Sequence, residues 1–155
     1  VNPIFSLLPD FGLRDPYVGQ MKGILLSRCP SARVIDLTHE VPPQSVAVGA
    51  FFLQKSWRFL PAGTVHLAVV DPGVGTGRGV VALQREEHLF LGPDNGLLSG
   101  VASGGMVFRL HTEMEDLPER SDTFHGRDLF APLAADLANG RPLVEMGETC
   151  SRKDL

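Results

Sequence analysis

The segment TVHLAVVD, Thr64 to Asp71, constrains the fold more than any other stretch. It is a nearly continuous apolar run, not an alternating one, and it ends abruptly on an aspartate. A strand with this pattern is covered on both faces, as strands are in parallel sheets flanked by helices. The rest of the chain has the alternation such a sheet needs. IFSLL, Ile4 to Leu8, reads as a buried strand. Asp15 and Pro16 are expected as the N-cap and first position of a helix. Val18, Met21 and Leu25 share one face of that helix, and Pro30 stops it. RVIDL is a second strand. Val46, Ala50, Leu53 and Trp57 recur at helical spacing, which makes Trp57 a core residue. GVVALQ and EHLFLG form a strand pair around a charged turn at Glu86 and Glu87, and MVFRL is another strand. Leu129, Leu133 and Leu137 mark a last helix, ended by Gly140 and Pro142.

The expectation is an α/β domain over residues 1–144, with a mostly parallel central sheet, helices on both faces and Rossmann-like layering. From Glu145 to Leu155 the pattern is lost, and residues 145–155 read as the start of a linker. A length of 155 residues suits one domain with a genuine core. The composition, 43% apolar and 21% charged, is that of a globular chain and not a disordered one. A net charge of −4 gives no sign of a nucleic-acid surface. No run approaches the ~20 apolar residues of a membrane helix, so no membrane association is expected. VNPIFSLLPDF lacks a basic leader and meets Asp10 too early for a signal peptide. Cys29 and Cys150 are too few for a disulfide framework and have no metal-type spacing, which points to a cytoplasmic protein with free thiols.

Open α/β sheets bind ligands beyond the carboxyl ends of their strands. That rule selects Asp10, Asp71, and the pair Asp94 and Asn95 in GPDNG as candidate binding residues. TFHGRD, with His125, Arg127 and Asp128, precedes the last helix and can join them. The glycine-rich DPGVGTGR lacks the closing lysine of a Walker loop, and a strand-like run follows it where a dinucleotide fingerprint opens a helix. Gly73, Gly75 and Gly77 therefore read as a tight turn beside a ligand, against the plainer reading of a bare turn with a surface arginine. Arg78 can fold back on Asp71 and hold it ionised. His125 adds a group titrating near neutrality. Such a set can position and polarise a water molecule. Asp36, His39 and Glu40 in DLTHE invite a metal reading, but no second nearby histidine completes a ligand set, and no metal is expected.

Five ordered segments carry a resemblance. LLPDFGLRDPYVGQMKG, VIDLTHEVPPQSVAVGA, FLPAGTVHLAVVDPGVGTGR, LGPDNGLLS and TFHGRDLFAPLAADLANG together resemble the S-adenosylmethionine hydroxide adenosyltransferase family. Its members are also called adenosyl-forming S-adenosylmethionine hydrolases, and it is related to the fluorinases and chlorinases. The resemblance implies attack of water or hydroxide on the ribose 5′ carbon of S-adenosylmethionine, giving adenosine and L-methionine. It implies that Asp71, Arg78 and His125 surround the water, that Asp10 holds the ribose hydroxyls, and that no cofactor or metal takes part. It further implies a homotrimer with sites between subunits and a second, C-terminal β-rich domain absent from these residues, so the chain alone is expected to be weakly active or inactive. Pro9 stands where the family usually has threonine, and Ser45 where an acidic residue is commoner. Two other functions fit the residues: a metal-dependent phosphoesterase using Asp10, Asp71 and His125, and a non-catalytic nucleoside or S-adenosylmethionine binding module.

Overall fold

The computed structural model describes residues 2–71, 79–112 and 129–155. The strands are β1 (Ile4–Pro9), β2 (Arg33–Asp36), β3 (Val65–Val69), β4 (Val80–Arg85), β5 (His88–Pro93), β6 (Met106–Leu110) and β7 (Gly147–Cys150). The helices are α1 (Tyr17–Arg28), α2 (Val46–Ser56), α3 (Ala131–Ala138) and the single turn α4 (Leu143–Met146). Among the described residues the strands form one seven-stranded sheet in the order β2-β1-β3-β5-β4-β6-β7.

The sheet is mixed, which corrects the expectation of a mostly parallel one. β1 pairs in parallel with β2 and β3, and β3 with β5. The pairs β4–β5, β4–β6 and β6–β7 are antiparallel. The cause is local. The turn at Glu86 and Glu87 is too short for a crossover, so β5 folds straight back on β4 as a hairpin. Glu86 takes a left-handed φ of 54° to close it. Every strand added beyond that hairpin continues the antiparallel half.

Successive strand residues point to opposite sides, and they feed two apolar clusters. Phe5, Leu7, Val65, Leu67 and Val69 pack with Val18, Met21 and Leu25 of α1 and with Leu133, Ala134 and Leu137 of α3. Leu8, Ala68, Val70 and Phe90 pack with Leu53 of α2 and with Trp57. Trp57 is buried as its spacing predicts, in a short 3-10 turn after α2. Each fully buried leucine or phenylalanine contributes roughly 1.5–3 kcal/mol, so these clusters are what holds the strand ends in register. Gly49 lets α2 come close: a Cβ there would meet Leu97 and Val70 at 3.0 and 3.1 Å.

Two local readings change. Pro16 is the N-cap of α1, not its first helical residue; its carbonyl accepts from the Gln20 N–H at 2.9 Å, and its own side chain makes no capping bond. The polar segment from Glu145, expected as linker, contributes β7. Its Glu148 and Thr149, on opposite sides of the strand, are both exposed because β7 ends the sheet's order, and polar residues suit such a strand. Gly147 starts it where a Cβ would collide with the Arg109 backbone.

Candidate functional site

The strand order places the site. From β1 the chain moves by α1 to β2 on one side, then by α2 to β3 on the other side of β1. The order therefore reverses between β1 and β3, and at such a switch point the loops diverge and leave a crevice at the carboxyl ends. Asp10 follows β1 directly and Asp71 follows β3 by two residues.

The register Pro9 to Val69 brings these two ends level, and the Asp10 N–H donates to the Val69 carbonyl at 3.3 Å. Pro9 costs the ladder nothing. Amides alternate sides along a strand, so the donor missing at residue 9 would point to the β2 side, past the last β1–β2 pair, Leu7 with Asp36.

Asp10 is half-buried, and its carboxyl is raised above the usual range. Burial is the main cause; the negative charge of Asp71 adds to it, and hydrogen bonds from the Gln44 and Asp10 amides oppose it. The Gln44 N–H donates to Asp10 Oδ2 at 2.6 Å. To aim that amide, Gln44 adopts a φ of 64°, a left-handed conformation that costs a non-glycine residue roughly 1–2 kcal/mol. Local strain of this kind clusters where a group must be held for a ligand.

Asn95 joins the same crevice from the end of β5. Its Nδ2 donates to the Val70 carbonyl at 2.8 Å and its Oδ1 accepts from the Leu97 N–H at 3.1 Å. It thus braces the backbone just before Asp71. Asp94 is turned to the antiparallel half, where the Arg109 guanidinium donates to its Oδ2 at 3.0 Å. Asp10, Asp71 and Asn95 are brought together, while Asp94 is engaged with β6. Arg78, His125, Arg127 and Asp128 lie outside the described residues.

Sequence reasoning missed Gln44 and Arg109. A backbone donor at positive φ leaves no side-chain signature, although the two prolines before Gln44 mark a forced turn. Arg109 meets Asp94 only because β6 joins β4, a non-local pairing. The DLTHE residues resolve differently. His39 Nε2 lies 2.7 Å from Asp36 Oδ1, and Lys22 Nζ lies 2.9 Å from Asp36 Oδ2. Burial pushes the Asp36 carboxyl up, but hydrogen bonds and charge from Lys22 and His39 outweigh it and leave it below its ordinary value. Glu40 is exposed. Among the described residues no group of three or more His, Cys, Asp or Glu is placed to hold a metal ion, and no helix is long and apolar enough to cross a membrane.

Half-buried carboxylates at a switch point are the place where an open α/β sheet can take a small polar ligand. The chain belongs to the family described as SAM hydroxide adenosyltransferase N-terminal domain, whose model matches residues 5–147. It is 48% identical over 150 residues to the (R)-S-adenosyl-L-methionine hydrolase of Salinispora tropica, a match covering 94% of this chain and 57% of that protein. It is 29% identical over 180 residues to a fluorinase from an Actinoplanes species, covering 99% of this chain and 60% of the fluorinase. The crystal structure of an uncharacterized conserved protein from Thermotoga maritima superposes with a TM-score of 0.86 at 40% identity, covering 95% of this chain and 58% of that one. The chain thus spans a little over half the length of the relatives it matches.

Proposed function

We propose that this chain forms the ribose- and water-holding part of an S-adenosylmethionine hydrolase, in which water or hydroxide attacks the ribose 5′ carbon to give adenosine and L-methionine. The observation that carries the reading is the level pair Asp10 and Asp71 at the β1/β3 switch point, in a chain of this family. Asp10, fixed by the Gln44 amide, accepts hydrogen bonds from the 2′ and 3′ hydroxyls. Asp71, with Arg78 and His125, surrounds the attacking water. Asn95 keeps the Asp71 backbone in place.

The chemistry asks little of acids and bases. The sulfonium leaves as a neutral thioether, so no proton is needed at sulfur. An ordinary aspartate, near pKa ~3.9, is a weak base for water, and positioning carries more of the barrier: an in-line oxygen at ~3–3.5 Å in a water-excluding pocket. The reaction requires no metal or cofactor.

The same reading includes a homotrimer in the longer protein, with the β-rich domain of a neighbouring subunit closing each site, and a cytoplasmic location that suits the free thiols of Cys29 and Cys150. Rossmann-like layering is supported by the two apolar clusters on alternate strand residues. The test is to incubate S-adenosylmethionine with this chain and with a form extended through a second domain, and to separate the products by chromatography. Adenosine release is expected from the extended form, with little or none from the chain alone. Equal rates would refute the shared site, and no adenosine from either would refute the reaction.

A further inference from the structure

The loop from Leu37 to Gln44 grips the end of β1 at three points. The Leu37 N–H donates to the Leu7 carbonyl at 3.0 Å, and the His39 carbonyl accepts from the Gly12 N–H at 3.1 Å. The Gln44 N–H donates to the Asp10 carboxylate at 2.6 Å. Asp10 thus sits between two grips, two residues from the Gly12 one. The loop has its own anchor in His39, which is 5% exposed and reaches Asp36, itself tied to Lys22 on α1.

The anchor is not explained by packing. The His39 ring meets the Asp36 carboxylate through Nε2, and its buried Nδ1 has no hydrogen-bond partner among the described residues. An unpaired buried polar atom is costly, and an apolar ring would fill the space without that cost. What an apolar ring cannot do is bond Asp36 at the end of β2 while its own carbonyl holds Gly12. The strained φ of Gln44 at the other end of the loop has the same character: a local cost accepted where Asp10 is held.

We propose that His39 is a positioning residue for Asp10, acting through the loop 37–44 so that the Gln44 amide stays aimed at the carboxylate. The proposal rests on Asp10 as the ribose-binding group, and its test separates the two ideas.

The Asp10 carboxyl is titrated by carbon-13 NMR in the wild-type protein and in His39→Phe and His39→Gln, all in a form extended through a second domain, and adenosine affinity is measured on the same proteins. Because the Gln44 amide lowers the Asp10 carboxyl, His39→Phe should raise its titration midpoint further. It should also weaken adenosine binding about tenfold, the weight of one charge-assisted hydrogen bond. His39→Gln, which can again donate to Asp36, should restore both in part. In an Asp10→Ala background, His39→Phe should leave adenosine affinity unchanged, since coupled residues are not additive; a merely structural role would still lower it. Should His39→Phe not fold, Asp36→Ala replaces it. Loss of that negative charge alone would lower the Asp10 midpoint, so a rise reports lost positioning. A folded variant with the Asp10 midpoint unmoved overturns the proposal. A midpoint that moves while the extended form never binds adenosine upholds the positioning and refutes the nucleoside reading.

Discussion

Strands β1, β3 and β5 carry polar groups in two places, and the two are built to opposite rules. In the middle of the sheet, Ser6 Oγ lies 2.7 Å from His66 Nδ1, and His66 Nε2 lies 3.0 Å from His88 Nδ1. His66 stacks on Phe90, and Trp57 meets His88 edge to face. Burial, with the nearby His88, lowers His66 to about 3. Burial lowers His88 too, against the opposing pull of Glu86 and Glu87. This string is hydrogen-bonded along its length, and burial disfavours the charged form of both rings. At the carboxyl ends of the same strands, Asp10 and Asp71 set like charges near one another and Gln44 is strained. Buried polar groups that satisfy each other stabilise a core. Groups that oppose folding persist where a ligand completes them.

The largest effect should come from the crevice. In an active, extended form of the protein, Asp71→Ala is expected to cut turnover by roughly 10²–10⁴-fold while the circular dichroism spectrum stays native. Unchanged turnover would remove Asp71 from the reaction. The reverse pattern is expected in the core. His66→Ala leaves a cavity and strands Ser6 and His88, so denaturant unfolding should show a loss of about 3 kcal/mol, with adenosine affinity unchanged in whatever fraction remains folded. A weakened affinity there would join the two regions that the comparison separates.

Acid sharpens the contrast. The unfolded chain protonates His66 near 6.5 and the folded chain only near about 3. The unfolded state therefore binds more protons in between. The stability that His66 contributes is complete above that upper value and lost as pH falls towards the lower one, by roughly 1.4 kcal/mol per pH unit. Urea midpoints between pH 7 and pH 4 should fall accordingly, and flat midpoints would contradict a neutral buried His66.

Asp10 has the opposite sign. A raised carboxyl favours the fold below its unfolded value, and that contribution is lost as pH rises through the folded one. At neutral pH, Asp10→Asn should thus melt slightly higher, by roughly a degree or two, while binding adenosine more weakly. A lower melting point would show that the carboxylate supports the fold instead of opposing it.

Much of this was legible in the sequence where the signal is local. The doubly buried Val65–Val69 marks a central strand, and an aspartate just beyond each of β1 and β3 marks the crevice. What was not legible depends on pairing across the chain. The mixed sheet follows from which strands β4 and β6 choose. β7 was hidden because GETC, bordering the sheet, is too short and too polar to show a period-two pattern. Gln44 acts through its backbone, so its side chain says nothing, and the histidine string depends on β1, β3 and β5 lying in register.

The most direct test follows adenosine as it is titrated into an isotopically labelled form extended through a second domain, watching backbone amides by NMR. The expected result is saturable shifts at Asp10, Gln44, Asp71 and Asn95, with Ser6, His66 and His88 unmoved. Shifts confined to the histidine string, or none at any adenosine concentration, would contradict a nucleoside site at the β1/β3 crevice.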